Sequence, residues 1–450
     1  MKKTIKSISI CCLLIMLVGC IHMEIPFTVE RMQVEMKTCP EGIDVRKPRF
    51  SWLIFSDFRD VVQTEYRIQV ASSLENLEKG HDLLWDSGLV ESQDNLFIPY
   101  DGKELKSCDV CYWRVKVNTN VANGGWSEPA RWSMGLLDDT DWKAQWIGED
   151  SISNEWETDR DNTVLAARYL RTVFGVRNRV ERATLYICGL GLYEAYINGE
   201  RVGGVLSPTL SLYTESVYFN TYDVTSMLSQ GKNAIGVVLG NGRYFPMRNE
   251  EHPEHGAQFA MPYFGLPCLI AQLEVKYENG LKYLVVTGDD WKVTSSGPVT
   301  TNNEYDGEKY DARKELKGWN TSDYDDSKWK SADVMDAPGG ELIAQPNPNI
   351  EVQDSVVPKR IFKNSNGNYI VDMGQNMVGW LKVNLKGEKD KAVSFRFAEL
   401  LNSDNTLYVA NLRNTRATDT YIPAEDGTFC WQPKFVYHGF RYVEISGLGY

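Results

Sequence analysis

Sixty-one acidic side chains supply many carboxylates, but chemistry by a general acid and a general base needs two of them opposed across a substrate. The sequence brings acids close at Glu308 with Asp311 and at Asp325 with Asp326. Both pairs stand in polar, turn-rich stretches, where Asp and Glu close turns and cap helices, so they read as turn and capping residues. Metal chemistry has one candidate cluster, Glu250-Glu251-His252-Pro253-Glu254-His255. Pro253 disfavours the helix that would align these ligands, and the stretch reads as a solvated acidic loop.

Other constellations fail on spacing. The five histidines, His22, His81, His252, His255 and His438, have no Gly-x-Ser-x-Gly elbow to join. The loop Gly240-Asn241-Gly242-Arg243-Tyr244-Phe245 lacks the Lys-Ser/Thr of a phosphate loop and follows no parallel-sheet pattern. Cys108-Asp-Val-Cys111 is a single close pair, whereas a structural zinc site takes two; a local disulfide and two free thiols both remain open. Cys39, Cys188, Cys268 and Cys430 are scattered, too thinly for a disulfide scaffold.

The elements that must hold any site are strands. In Leu185–Phe245, Tyr193, Ala195 and Ile197 put one apolar face on a strand, and Asn198-Gly199 supplies the positive-φ turn that reverses the chain into Glu200, Arg201 and Val202. Residues 220–228 close a further strand and enter a short helical turn, ahead of the apolar strand 234–240. Leu269, Ala271, Leu273 and Val275 alternate in the same way, as do Tyr66, Ile68 and Val70, then Trp113, Val115 and Val117, then Val393, Phe395 and Phe397. With 450 residues, 36 glycines and 12% aromatic side chains, the reading is all-β, with about three domains and no repeat of fixed period. Tryptophans beside aspartates at 138–146 and 323–334 mark the junctions.

The N-terminus sets the compartment. Lys2, Lys3 and Lys6 precede an apolar run from Ile8 to Val18, and Leu17-Val18-Gly19-Cys20 ends it in the manner of a bacterial lipobox. Residues 1–19 are then a signal peptide and Cys20 the lipidated N-terminus, which predicts an exported, membrane-anchored lipoprotein, periplasmic or on the cell surface. Losing residues 1–19 takes three lysines from a net charge of −13 and leaves −16. Nucleic acid is an unsuitable partner for such a chain, since phosphate binding needs a basic stripe.

The order of strands and turns from Leu185 to Phe245, together with Asn303–Glu315 (NEYDGEKYDARKE), resembles the N-terminal jelly-roll domain of the bacterial α-L-rhamnosidases, glycoside hydrolase family 78. PRFSW at 48–52 resembles the opening of the fibronectin type III-like domain that begins many of them, and residues 368–447 resemble their concanavalin-like domain. The resemblance implies three consecutive β-sandwiches: fibronectin III-like at 27–137, jelly-roll at 142–333 and concanavalin-like at 334–450.

In that family the acid and base lie in an (α/α)₆ barrel expected after Gly447, so the resemblance implies no catalytic residue here and no hydrolysis by this chain alone. It implies the non-catalytic N-terminal portion of an enzyme that removes terminal rhamnose from glycans, or else a free-standing surface protein that binds such glycans. Rhamnose-bearing glycan would then meet loop residues: Asn241, Arg243 and Tyr244, with Tyr213 and Asn198 near in sequence order. The family commonly has Gly-Trp-Tyr where this chain has Gly242-Arg243-Tyr244, which removes one stacking ring. No cofactor is implied except calcium, which some members hold; Asp161 with Asn162, or Asp306, could supply its oxygens.

Overall fold

The computed structural model describes residues 26–149, 165–246, 264–336, 338–413 and 415–448. The signal peptide, Cys20, the calcium candidates Asp161 and Asn162, and the acidic loop 250–255 lie outside the described residues. Strands dominate, and among the described residues no helix is long and apolar enough to cross a membrane.

The chain divides into two compact units. The first draws on residues up to Thr38, with Arg49–Lys103 and Tyr112–Ala130. Its strands Thr28–Val34 and Arg49–Phe55 pair antiparallel, while Gln63–Ala71 pairs with Val110–Thr119. The predicted alternation is realised: Tyr66, Ile68, Val70, Trp113, Val115 and Val117 are all buried. Phe50 packs on Trp113 with ring centroids 4.6 Å apart, and the Trp52 indole N–H donates to Gln63 Oε1 at 3.0 Å, so the rings also satisfy a buried polar group. A short α-helix, Leu74–Lys79, starts on the Ser73 side chain and stops at Gly80 in the left-handed region, φ +62°.

The second unit holds Cys39–Pro48, Glu104–Cys111 and everything from Arg131 onward. Two sheets form its first sandwich. One runs Asp333–Val334, Ile147–Gly148, Cys268–Tyr277, Val180–Leu190, Ser216–Asp223 and Glu341–Ala344, with Lys282–Val286 also on Cys268–Tyr277; the other runs Glu200–Ser207, Leu192–Ile197, Gly231–Gly240, Arg168–Val176, Lys292–Thr294 and Lys330–Ser331. Period-two alternation decides which side chains meet between them. Tyr193, Ala195, Ile197, Ile235, Val237 and Leu239 pack there against Leu269, Ala271, Leu273 and Val275.

The opposite face of the second sheet is buried too. Tyr169, Val238 and the half-buried Leu192 and Tyr196 share a core with Val371, Val393, Phe395, Phe397, Tyr421 and Val443. Those residues belong to a further seven-stranded sheet, Val299–Asn303, Gly307–Asp311, Thr418–Ile422, Val393–Ala398, His438–Ser446, Tyr369–Gly379 and Arg360–Lys363. The chain crosses between layers on the way: 299–311 joins the sheet of the last third, and Glu341–Ala344 runs parallel to Ser216–Asp223. Two glycines permit the close approach. A Cβ on Gly236 would meet Trp319 at 2.6 Å, and one on Gly240 would meet the Phe435 ring at 2.4 Å.

Candidate carbohydrate-binding site

The predicted binding residues divide between turn, core and surface. Asn198 and Gly199 adopt φ +52° and +87°, the positive pair that a two-residue hairpin turn requires. The Asn198 amide donates to Met227 O at 3.0 Å and Asn233 Oδ1 at 2.7 Å, and its oxygen accepts the Ala234 N–H at 2.9 Å. These bonds tie the hairpin to the neighbouring strand. Tyr213 and Tyr244 are 4% and 3% exposed and meet edge to face at 5.2 Å, in a core with Phe264. Burial pushes the Tyr213 phenol up from its ordinary value. Neither ring offers a free face for a sugar.

Asn241 also points inward. Its N–H donates to Asn302 Oδ1 at 2.7 Å, and its amide donates to Leu165 O and Asn302 O at 3.0 and 2.9 Å. Asp306 sits in the hairpin between Val299–Asn303 and Gly307–Asp311, its N–H donating to Asn303 Oδ1 at 3.2 Å and its carbonyl accepting the Thr418 N–H at 3.0 Å. Among the described residues no group of three or more His, Cys, Asp or Glu side chains gathers as metal ligands do. The cysteines 108 and 111 are free thiols.

Arg243 reaches the surface. Its Nε and Nη2 lie 2.5 and 2.7 Å from the two oxygens of Glu304, a bidentate pair that holds the guanidinium flat and pushes it further up in pKa. The Tyr437 hydroxyl donates to Glu304 Oε1 at 3.1 Å, and the Tyr437 side chain is 38% exposed. Three loops thus meet in one polar rim: the one after Gly231–Gly240, the 303–307 hairpin and the segment before His438–Ser446. A flat guanidinium, a carboxylate and a phenol ring side by side can hydrogen-bond adjacent hydroxyls and cover a C–H face. Glu304 and Tyr437 escape a reading of the sequence because they stand 61 and 194 residues from Arg243, beyond any local spacing.

A buried polar network is concealed from local sequence in the same way. Lys434 Nζ donates to Glu194 Oε2 at 2.5 Å, and its backbone N–H and that of Phe435 donate to Glu308 at 3.0 Å. Asp419 Oδ1 accepts the Glu308 N–H at 3.0 Å and lies 3.1 Å from His438 Nε2, whose ring stacks on Phe397 at 4.0 Å. Burial pushes the Glu308 carboxyl up to about 8; the Lys434 N–H pulls it down and Asp419 adds to the rise. Glu308 is thus a packing carboxyl rather than a turn residue. Asp311 caps the turn at Arg313, as expected, and Asp325 accepts the Ser327 N–H, while Asp326 pairs with the buried Arg171.

Comparison with known proteins agrees with this architecture. Residues 29–138 match a Rha78A-like N-terminal immunoglobulin domain, 178–354 the α-L-rhamnosidase N-terminal domain, and 362–450 the bacterial α-L-rhamnosidase concanavalin-like domain. An α-L-rhamnosidase of Formosa agariphila is 36% identical over 445 residues, covering 93% of this chain and 46% of that protein. The solved α-L-rhamnosidase of Dictyoglomus thermophilum superposes with a TM-score of 0.83 at 37% identity, over 94% of this chain and 47% of its own. That of Streptomyces avermitilis, solved with L-rhamnose, gives 0.83 at 26% identity, over 94% and 56%. The chain therefore spans about half the length of these relatives.

Proposed function

The chain belongs to the α-L-rhamnosidase family in its N-terminal, all-β region, and on that footing we propose that it is the non-catalytic β-scaffold of an enzyme that removes terminal α-L-rhamnose from glycans. The likeness to the Dictyoglomus thermophilum rhamnosidase, which runs through all three matched domains, carries this reading. Inverting glycoside hydrolysis needs an acid and a base roughly 6.5–9.5 Å apart with water between them. Among the described residues the most deeply buried carboxyl groups, Glu308, Asp372 and Asp419, spend their oxygens on backbone N–H groups, on the guanidinium groups of Arg360 and Arg441 and on an imidazole. The acid and base are assigned to the half of the relatives that this chain does not span.

The scaffold's own contact with substrate is assigned to the Arg243–Glu304–Tyr437 rim, and the ligand to rhamnose-bearing glycan. Calorimetric titration of the purified chain with rhamnosides, with and without calcium, tests this. Heat is expected that Arg243→Ala lowers; absence of heat under both conditions rejects the binding role.

The leader favours a second element of the reading, export and anchoring through Cys20. A clickable palmitate analogue fed to expressing cells should label the chain, and Cys20→Ala should abolish the label. Equal labelling of both rejects the anchor, and with it the alternative of a free-standing glycan-binding lipoprotein.

A further inference from the structure

We propose that the cleft between Trp380 and the Glu194–Arg201–Lys434 cluster is a second saccharide subsite, which receives one hydroxyl of a deoxyhexose. The proposal rests on the glycan reading above and names a different surface for it. Glu194 stands on the Leu192–Ile197 strand, on the face opposite Tyr193, and is 6% exposed. Its Oε2 is taken by Lys434 Nζ at 2.5 Å and the Tyr196 hydroxyl at 2.6 Å, while Oε1 has Arg201 Nη2 only at 3.5 Å. Burial would raise its pKa, but Lys434 and Arg201 outweigh that and hold the carboxylate ionised.

Arg201 is the odd member. Its Nη2 donates to Gly204 O at 2.6 Å, yet its Nε is buried with no hydrogen-bond partner. A charged donor left unmade in a buried place is costly, and native structures seldom leave one without a ligand or water. The cavity beside it is about 10 Å³, the size of one water or one hydroxyl. Such a hydroxyl would accept from Arg201 Nε and donate to Glu194 Oε1.

The rest of the lining is suited to the remainder of a sugar. Val205 supplies an apolar wall for a C–H face or a methyl group, the half-buried Trp380 an indole surface, and the exposed Gln432 a flat polar group at the edge. Water alone would fill the hole but would use neither the indole nor the apolar wall.

Saturation-transfer NMR and calorimetry with methyl α-L-rhamnoside on the full chain separate these cases, using Trp380→Ala, Arg201→Lys and Arg243→Ala, each checked for an unchanged thermal midpoint. Arg201→Lys keeps the charge beside Glu194 and removes Nε. The proposal expects Trp380→Ala and Arg201→Lys each to weaken binding at least tenfold, with a residual component that Arg243→Ala removes. Binding lost only in Arg243→Ala overturns the subsite and leaves the glycan reading standing. No binding by the parent chain, with a trapped water only in the cavity, overturns both.

Discussion

Asp419 holds Glu308 by its backbone: the Asp419 carboxylate accepts the Glu308 N–H at 3.0 Å, and the Glu308 side chain in turn accepts the N–H groups of Lys434 and Phe435. One acidic residue thus orients another, and the second fixes the loop that carries Lys434 towards Glu194.

That arrangement makes stability fall with pH. Glu308 titrates near 8 in the folded chain and near its ordinary 4.5 when unfolded, so between those values the folded state holds a proton that the unfolded state has released. Its contribution is full below about 4.5 and is lost as pH rises through 8. Glu308→Gln keeps an acceptor for the N–H groups and removes the titration. Calorimetric midpoints should show the variant gaining on the parent steadily from pH 5 to 8; parallel profiles contradict this.

Arg171 is a buried clamp whose guanidinium donates to Trp319 O and Thr321 O, each at 2.7 Å, and pairs with Asp326. Arg171→Met fills the space but leaves two carbonyls and a carboxylate unmet. The expected loss is about 3 kcal/mol in denaturant unfolding, with faster proteolysis between 315 and 326. A loss under about 1 kcal/mol would contradict the clamp.

Gly240→Ala places a methyl 2.4 Å from the Phe435 ring and should cost about 1–3 kcal/mol. Gly175, in the adjacent strand, has open space where a Cβ would stand, with nothing within 4 Å, so Gly175→Ala should be neutral or slightly stabilising. Equal unfolding midpoints for the two variants would show that the close approach at Gly240 is absent.

Burial raises the Cys108 thiol to about 11 and the Cys111 thiol to about 12, so neither is a ready nucleophile at neutral pH. Brief iodoacetamide treatment of the native chain, read by peptide mass spectrometry, should among the described cysteines modify the exposed Cys39 and Cys430 first. A Cys108–Cys111 disulfide peptide in the untreated chain would contradict the free thiols.

The strand architecture is legible in the sequence because alternation is a local property. Tyr193, Ala195 and Ile197, or Val393, Phe395 and Phe397, declare a buried face within five residues, and Asn198-Gly199 declares its own turn. The binding residues are legible only by type. Tyr213 and Tyr244 are loop aromatics in the sequence, yet they pack on each other, and only the fold reveals that. Arg243 keeps its surface position, but its partners Glu304 and Tyr437 come from other loops. Glu308 reads as a turn acid because its donors, Lys434 and Phe435, lie more than 120 residues on.

The decisive measurement is hydrolysis of an aryl α-L-rhamnoside by the purified chain, from Cys20 to Tyr450. No release above the rate of buffer alone is expected from pH 4 to 8, while an intact rhamnosidase in the same assay turns the substrate over. Release that copurifies with the chain and saturates with substrate would contradict it, since a working acid and base would then lie within these β-domains.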